Sequence, residues 1–154
     1  MRAPARKSIL RRLQNRPHAL ELIYSVSRIL LLPFRRWLAR GRLAAKVLAS
    51  IERFLKAPIF DCRMCGQCTL HATGMTCPMT CPKNLRNGPC GGVRPDGNCE
   101  ILPHTPCVWV EAWRRSRRMP CYGHEIIAIQ PALDWRLQGG SAWVNEFVLG
   151  SRRQ

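Results

Sequence analysis

Apolar positions along the first sixty residues recur at helical spacing. Asn15-Arg16-Pro17 reads as a helix start, since proline suits the first helical turn, and Leu20, Ile23, Tyr24 and Leu30 carry a helix to about Leu32. Pro33 breaks or restarts it. From Phe34 to Lys56 the residues Trp37, Leu38, Val47, Leu48, Ile51, Phe54 and Leu55 predict a second amphipathic helix, with Gly41 its weak point and Arg35, Arg36, Arg40, Arg42, Lys46 and Arg53 on the other side. The periodicity then stops. Across residues 61–105 Gly, Pro, Asn and Thr dominate, so loops and turns are expected, with Asn87-Gly88-Pro89 as one turn. Pro95-Asp96-Gly97, flanked by Gly91 to Arg94 and Asn98 to Ile101, predicts a short β-hairpin. Helical spacing returns from Cys107 to Arg118, with Val108, Trp109, Ala112 and Trp113 on the apolar side and Thr105-Pro106 as cap and first turn. A short extended piece from His124 to Ile129 follows, then a turn of helix from Pro131. A last helix runs from Gly139-Gly140-Ser141 through Leu149, with Trp143, Phe147 and Val148 inward. Residues 1–16 read as disordered.

The expected fold class is small and irregular α+β. A loop-rich cysteine domain with flanking helices and a short hairpin would occupy residues 43–154, behind a basic, partly disordered and helical arm over 1–42. At 154 residues such a chain holds a modest core, and the cysteine stretch has few large aliphatics with which to build one.

Cysteine usage changes the picture most. Eight of nine cysteines are Cys62, Cys65, Cys68, Cys77, Cys81, Cys90, Cys99 and Cys107. Three thiols at intervals of three residues can converge on one centre, because the backbone between them loops round it and points amides at the sulfurs. Bound metal would substitute for the missing apolar core. Disulfides are the competing explanation. An odd cysteine count and the lack of a recognisable secretory signal argue against them and for a reducing compartment, the cytoplasm. Eight thiolates divide into two sets of four. Cys62, Cys65 and Cys68 would take Cys77 or Cys81, each followed by proline; Cys90, Cys99 and Cys107 would take the other. One or two four-iron clusters suit the close triple, while zinc remains open for the wider spacings. Cys121 stands apart as a buried or free thiol. His71 and His104 are expected to hydrogen-bond rather than ligate, and His18 and His124 to be incidental. Lys83, Asn84, Arg86 and Asn87 either tie down the loops, or Lys83 and Arg86 face a partner's phosphate or carboxylate.

Charge is concentrated ahead of the cysteines. Residues 1–60 hold 14 Lys/Arg against 2 Asp/Glu, residues 61–122 hold 8 against 4, and residues 123–154 hold 3 against 3. Such an arm attracts an acidic partner or an anionic membrane surface, whereas the ordered aromatic and basic platform of a nucleic-acid binder is missing. No run approaches the length of a bilayer span. Phosphate loops, nucleophile–base sets and paired acids are likewise absent from the sequence, so no catalytic centre of its own is expected.

The ordered set CRMCGQC, CPMTCPK, RNGPCGG, DGNCE and CVW over residues 62–109, followed by Asp134-Trp135-Arg136-Leu137 and GGSAWVN over 139–145, resembles the methylenetetrahydrofolate reductase C-terminal domain family. The resemblance covers about residues 50–150 and implies a cysteine-bound, iron–sulfur type module working beside a flavin-containing reductase. It implies ligand roles for Cys62, Cys65, Cys68, Cys77, Cys81, Cys90, Cys99 and Cys107. Because the chain has no reductase barrel, flavin and folate chemistry would belong to a partner, a flavin-containing methylenetetrahydrofolate reductase chain.

Overall fold

The computed structural model describes residues 13–150, without the side chains of 39 and 147–150. The expectation of disorder over residues 1–16 therefore falls largely outside the described residues. Helix α1 (Pro17–Leu31) starts on its proline, and its run ends in a 3-10 turn, Leu32–Phe34, built around Pro33. Helix α2 (Arg35–Arg40) stops at Gly41, whose extended backbone separates it from α3 (Arg42–Phe60). The break thus falls where the glycine removes helix propensity. Helix α3 ends at Asp61, which takes a left-handed conformation (φ 51°) and turns the chain into the cysteine loops.

Those loops contain two 3-10 turns, His71–Thr73 and Pro78–Thr80. They lead to α4 (Val108–Ser116), a third 3-10 turn at Gly123–Ile127, a fourth at Trp135–Leu137, and α5 (Ala142–Gly150). The α+β expectation is overturned. Among the described residues there is no sheet and no hairpin, only isolated bridges pairing Val93 with Cys99 and Asn98 with Pro106. The turn itself forms, with Gly97 N–H donating to Arg94 O at 2.8 Å. Its arms cannot extend into strands, because Gly91-Gly92 offers no side chains to pack and Pro95, Pro103 and Pro106 donate nothing to a ladder. Residues 123–127 are likewise helical rather than extended, and the helical turn expected at Pro131 lies at Trp135.

The core is small and mixed. Leu20 from α1 and Phe60 from α3 meet Leu70, Met75, Cys77, Met79 and Met119, with Cys65 and Cys68 against them. A second cluster joins Cys107, Trp109 and Ala112. Helix α4 is capped by the backbone of Cys107 with no side-chain bond, so Thr105 does not play that part. Its inward face also departs from expectation. Trp113 is exposed and Arg115 is buried, donating from Nη1 to Thr76 Oγ1 at 2.9 Å.

Two buried acids tie the helices to the rest. Glu21 on α1 accepts from the amides of Cys121 (2.9 Å) and Tyr122 (2.6 Å). Glu52 on α3 accepts from the Ser141 hydroxyl and from the amides of Ala142 (3.3 Å) and Trp143 (3.2 Å), where α5 begins. A carboxylate there satisfies amides that a helix start leaves without partners.

Candidate metal centre

Left-handed residues curl the first cysteine loop. Asp61 (φ 51°), Met64 (φ 49°) and Gly66 (φ 74°) reverse the backbone within six residues, so Cys62, Cys65 and Cys68 line one cavity. The fourth cysteine in that cavity is Cys77, from just before the Pro78–Thr80 turn. The C-terminal segment holds the loop in place. Gly139 N–H donates to Met64 O (2.8 Å), Gln67 Nε2 to Asp134 O (3.0 Å), and Asn145 Nδ2 to Gly66 O (2.9 Å). Gly66 has no room for a side chain, since a Cβ there would meet Leu137 O at 2.1 Å.

Backbone amides point at the sulfurs as the spacing predicts. Met64 N–H approaches Cys62 Sγ at 3.4 Å, and the amides of Leu70 and Met79 serve Cys68 and Cys77. Burial nonetheless dominates the thiols. It pushes the Cys62 and Cys68 pKa up, and with the neighbouring thiols it drives Cys77 up to about 12. Two cations reach the same cavity. Arg86, buried, lies with Nη1 4.0 Å from Cys65 Sγ and donates from Nη2 to Gln67 O at 3.2 Å, while its Nε has no hydrogen-bond partner. Lys56 bonds Glu52 at 2.8 Å and sits 5.5 Å from the Trp143 ring centroid. Burial opposes its charge, but Cys68 and Glu52 outweigh that and raise its pKa.

The other four cysteines, Cys81, Cys90, Cys99 and Cys107, line a second cavity. Their loop is pinned by Arg94 N–H to Asn98 O (2.9 Å), Cys99 N–H to Thr105 O (2.9 Å) and Cys107 N–H to Gly97 O (3.0 Å). Trp109 Nε1 closes it from α4 by donating to Leu85 O at 3.2 Å. Cys90 is exposed, its Sγ lies 3.6 Å from Glu100, and Glu100 is bonded by the ammonium of Lys83. Lys83 holds the Glu100 carboxyl below its usual range.

Thiolates are what metals bind, four cysteines line each cavity, and the cations Arg86 and Lys56 lie beside the inner set. The donor chemistry of each set therefore fits a thiolate-bound group. Among the described residues no three or more His, Cys, Asp or Glu are arranged to hold a metal ion.

Other candidates stay outside both cavities. Cys121 is an exposed thiol rather than a buried one, and His18, His71, His104 and His124 line neither cavity. His71 packs instead on Tyr24 and Tyr122, at 5.2 and 5.8 Å between centroids. Arg86 does not face outward for a partner, and Asn87 exchanges hydrogen bonds with Gln130 at 3.0 and 2.7 Å. Glu21, Glu52 and Lys56 escaped the sequence reading. The signal for the two acids was their isolation in a stretch that holds only two, each on the inward side of its helix.

Comparison with protein families matches residues 43–136 to the family described as methylene-tetrahydrofolate reductase C terminal, and the chain belongs to that family. Neither the curated proteins nor the solved structures contain a match.

Proposed function

We propose, taking membership of the methylenetetrahydrofolate reductase C-terminal family as the premise, that this chain is an accessory iron–sulfur subunit of such a reductase system. The observation that carries the reading is the division of the eight clustered cysteines between two cavities, four to each. Four thiolates are the ligand set of a four-iron cluster. When bound, such a cluster supplies one-electron exchange, which a partner's flavin would combine into the two-electron chemistry of folate reduction.

The chain's own residues have defined parts in this reading. Cys62, Cys65, Cys68 and Cys77 would hold the inner group, and Cys81, Cys90, Cys99 and Cys107 the outer one. Arg86 and Lys56 offset thiolate charge at the inner site. The amides of Met64, Leu70 and Met79 orient its sulfurs. Glu52 fixes Lys56 and the start of α5 together.

Anaerobic purification with iron and sulfide analysis tests the proposal. The expected result is a brown protein with about four iron and four sulfide per site, halved by Cys65→Ala or by Cys99→Ala and abolished by both. Zinc without sulfide would instead assign a structural docking module with no redox part.

A further inference from the structure

Helix α1 keeps its aliphatic side away from the protein. Its buried residues are Pro17, Leu20 and the acid Glu21, while Leu22, Ile23, Val26, Ile29 and Leu30 are exposed, Ile29 to 69%. At about 100° per residue Leu22, Val26 and Ile29 fall on one stripe, with Leu30 beside it. Helix α3 repeats the arrangement. It buries Glu52 and Phe60 and leaves Leu43, Val47, Ile51 and Phe54 in an exposed stripe, Phe54 to 81%. The bend between them carries Phe34 and Trp37, exposed to 59% and 66%. Aliphatic surface on this scale marks an interaction site rather than a resting face in water.

Charge identifies the occupant. The three helices contain two acids, Glu21 and Glu52, and both are buried in contacts with backbone amides. Exposed beside the aliphatic stripes are Arg35, Arg36, Arg40, Arg42, Lys46 and Arg53. On α3, Arg42, Lys46 and Arg53 cluster about a third of a turn round from the stripe. An apolar stripe, a purely cationic flank and aromatic residues at the bend are the combination of helices that lie in a lipid interface. No helix among the described residues is long and apolar enough to cross a membrane, so the helices would lie along it.

We infer that α1, α2 and α3 seat this protein on an anionic phospholipid surface, the aliphatic stripes entering the acyl boundary and the Arg/Lys flank meeting lipid phosphates. This inference does not depend on what the cysteines hold.

Flotation of the full chain with vesicles tests it. The protein floats with phosphatidylcholine–phosphatidylglycerol vesicles, stays behind with phosphatidylcholine alone, and is released by high salt. Arg35→Gln and Arg42→Gln each weaken retention about fivefold. Ile29→Gln with Phe54→Gln abolishes retention while leaving the circular dichroism unchanged, since both side chains are exposed. A blue shift of tryptophan emission on binding disappears in Trp37→Phe. Equal retention by both vesicle types, or none by either, overturns the inference. So does shielding of Ile29 and Phe54 by a purified flavin reductase chain in the absence of vesicle binding.

Discussion

The two cysteine sets are alike in number and differ in setting. The inner set lies among core residues, holds thiols whose pKa values burial has raised, and is pinned by the segment from Asp134 to Asn145. The outer set, apart from the buried Cys107, hangs on a looped segment with an exposed sulfur and an exposed ion pair. Equal donor counts therefore carry different structural weight. The inner set is wired into the helices through Glu52 and Lys56, whereas the outer set is bounded mainly by its own loop and by Trp109.

Removing one thiol from each set should separate them most sharply. With metal bound as proposed, Cys77→Ala is expected to cost several kcal/mol and to collapse the inner region, because such a site would contribute folding free energy directly. Cys90→Ala should leave the helical signal and most of the melting temperature in place. Parallel thermal melts of the two variants check this, and equal losses would erase the distinction.

The glycines offer a second contrast. Gly66 and Gly97 share a left-handed backbone, φ 74° and 79°, but only Gly66 has a backbone oxygen where a Cβ would go. Gly66→Ala should cost about 3 kcal/mol or more, since something must move. Gly97→Ala should cost about 1–2 kcal/mol, the penalty of the backbone conformation alone. Denaturant midpoints of the two variants measure the difference.

Glu52→Ala removes the acceptor for α5 and strands Lys56 beside the thiols. About 3 kcal/mol of destabilisation is expected. The loss should overlap with that of Ser141→Ala rather than add to it, because both act at one node.

Acidification gives the gentlest test. His71 lies against the core side of the inner region, and burial, with Arg28 nearby, lowers its pKa to about 4, outweighing Glu125 at 3.7 Å from Nε2. The folded protein thus resists a proton that the unfolded chain accepts below about 6.5. Stability should be full above that value and decline as pH falls towards 4, by roughly 2–3 kcal/mol in all. A His71→Phe variant should flatten the slope in a pH series of unfolding curves, while His104→Phe should not.

Much of this was legible in the residues. Proline and glycine placed the helix breaks at Pro33 and Gly41, and cysteine spacing identified the eight candidate ligands. Their grouping was not legible, because Cys77-Pro78 and Cys81-Pro82 look alike locally; the fold sends the first inward and the second to the outer loop. The hairpin was misread because a good turn sequence was credited with strands that its glycines and prolines could not form. Helical periodicity also misassigned Trp113 on α4 and gave no sign of the buried Arg115, since Thr76 supplies a polar partner that no local pattern reveals. Glu21 and Glu52 show the same limit, as their amide partners lie 101 and 90 positions away respectively.

The turn Pro78–Thr80 has one further consequence. Cys77 and Cys81 flank it, and four residues of chain reach at most about 14 Å. Whatever anchors the first of these sulfurs also limits where the second can be, so occupancy of either cavity narrows the search for the other. Binding at the two cavities, as proposed, would be coupled through a single short piece of backbone, which caps the distance between one cysteine of each set.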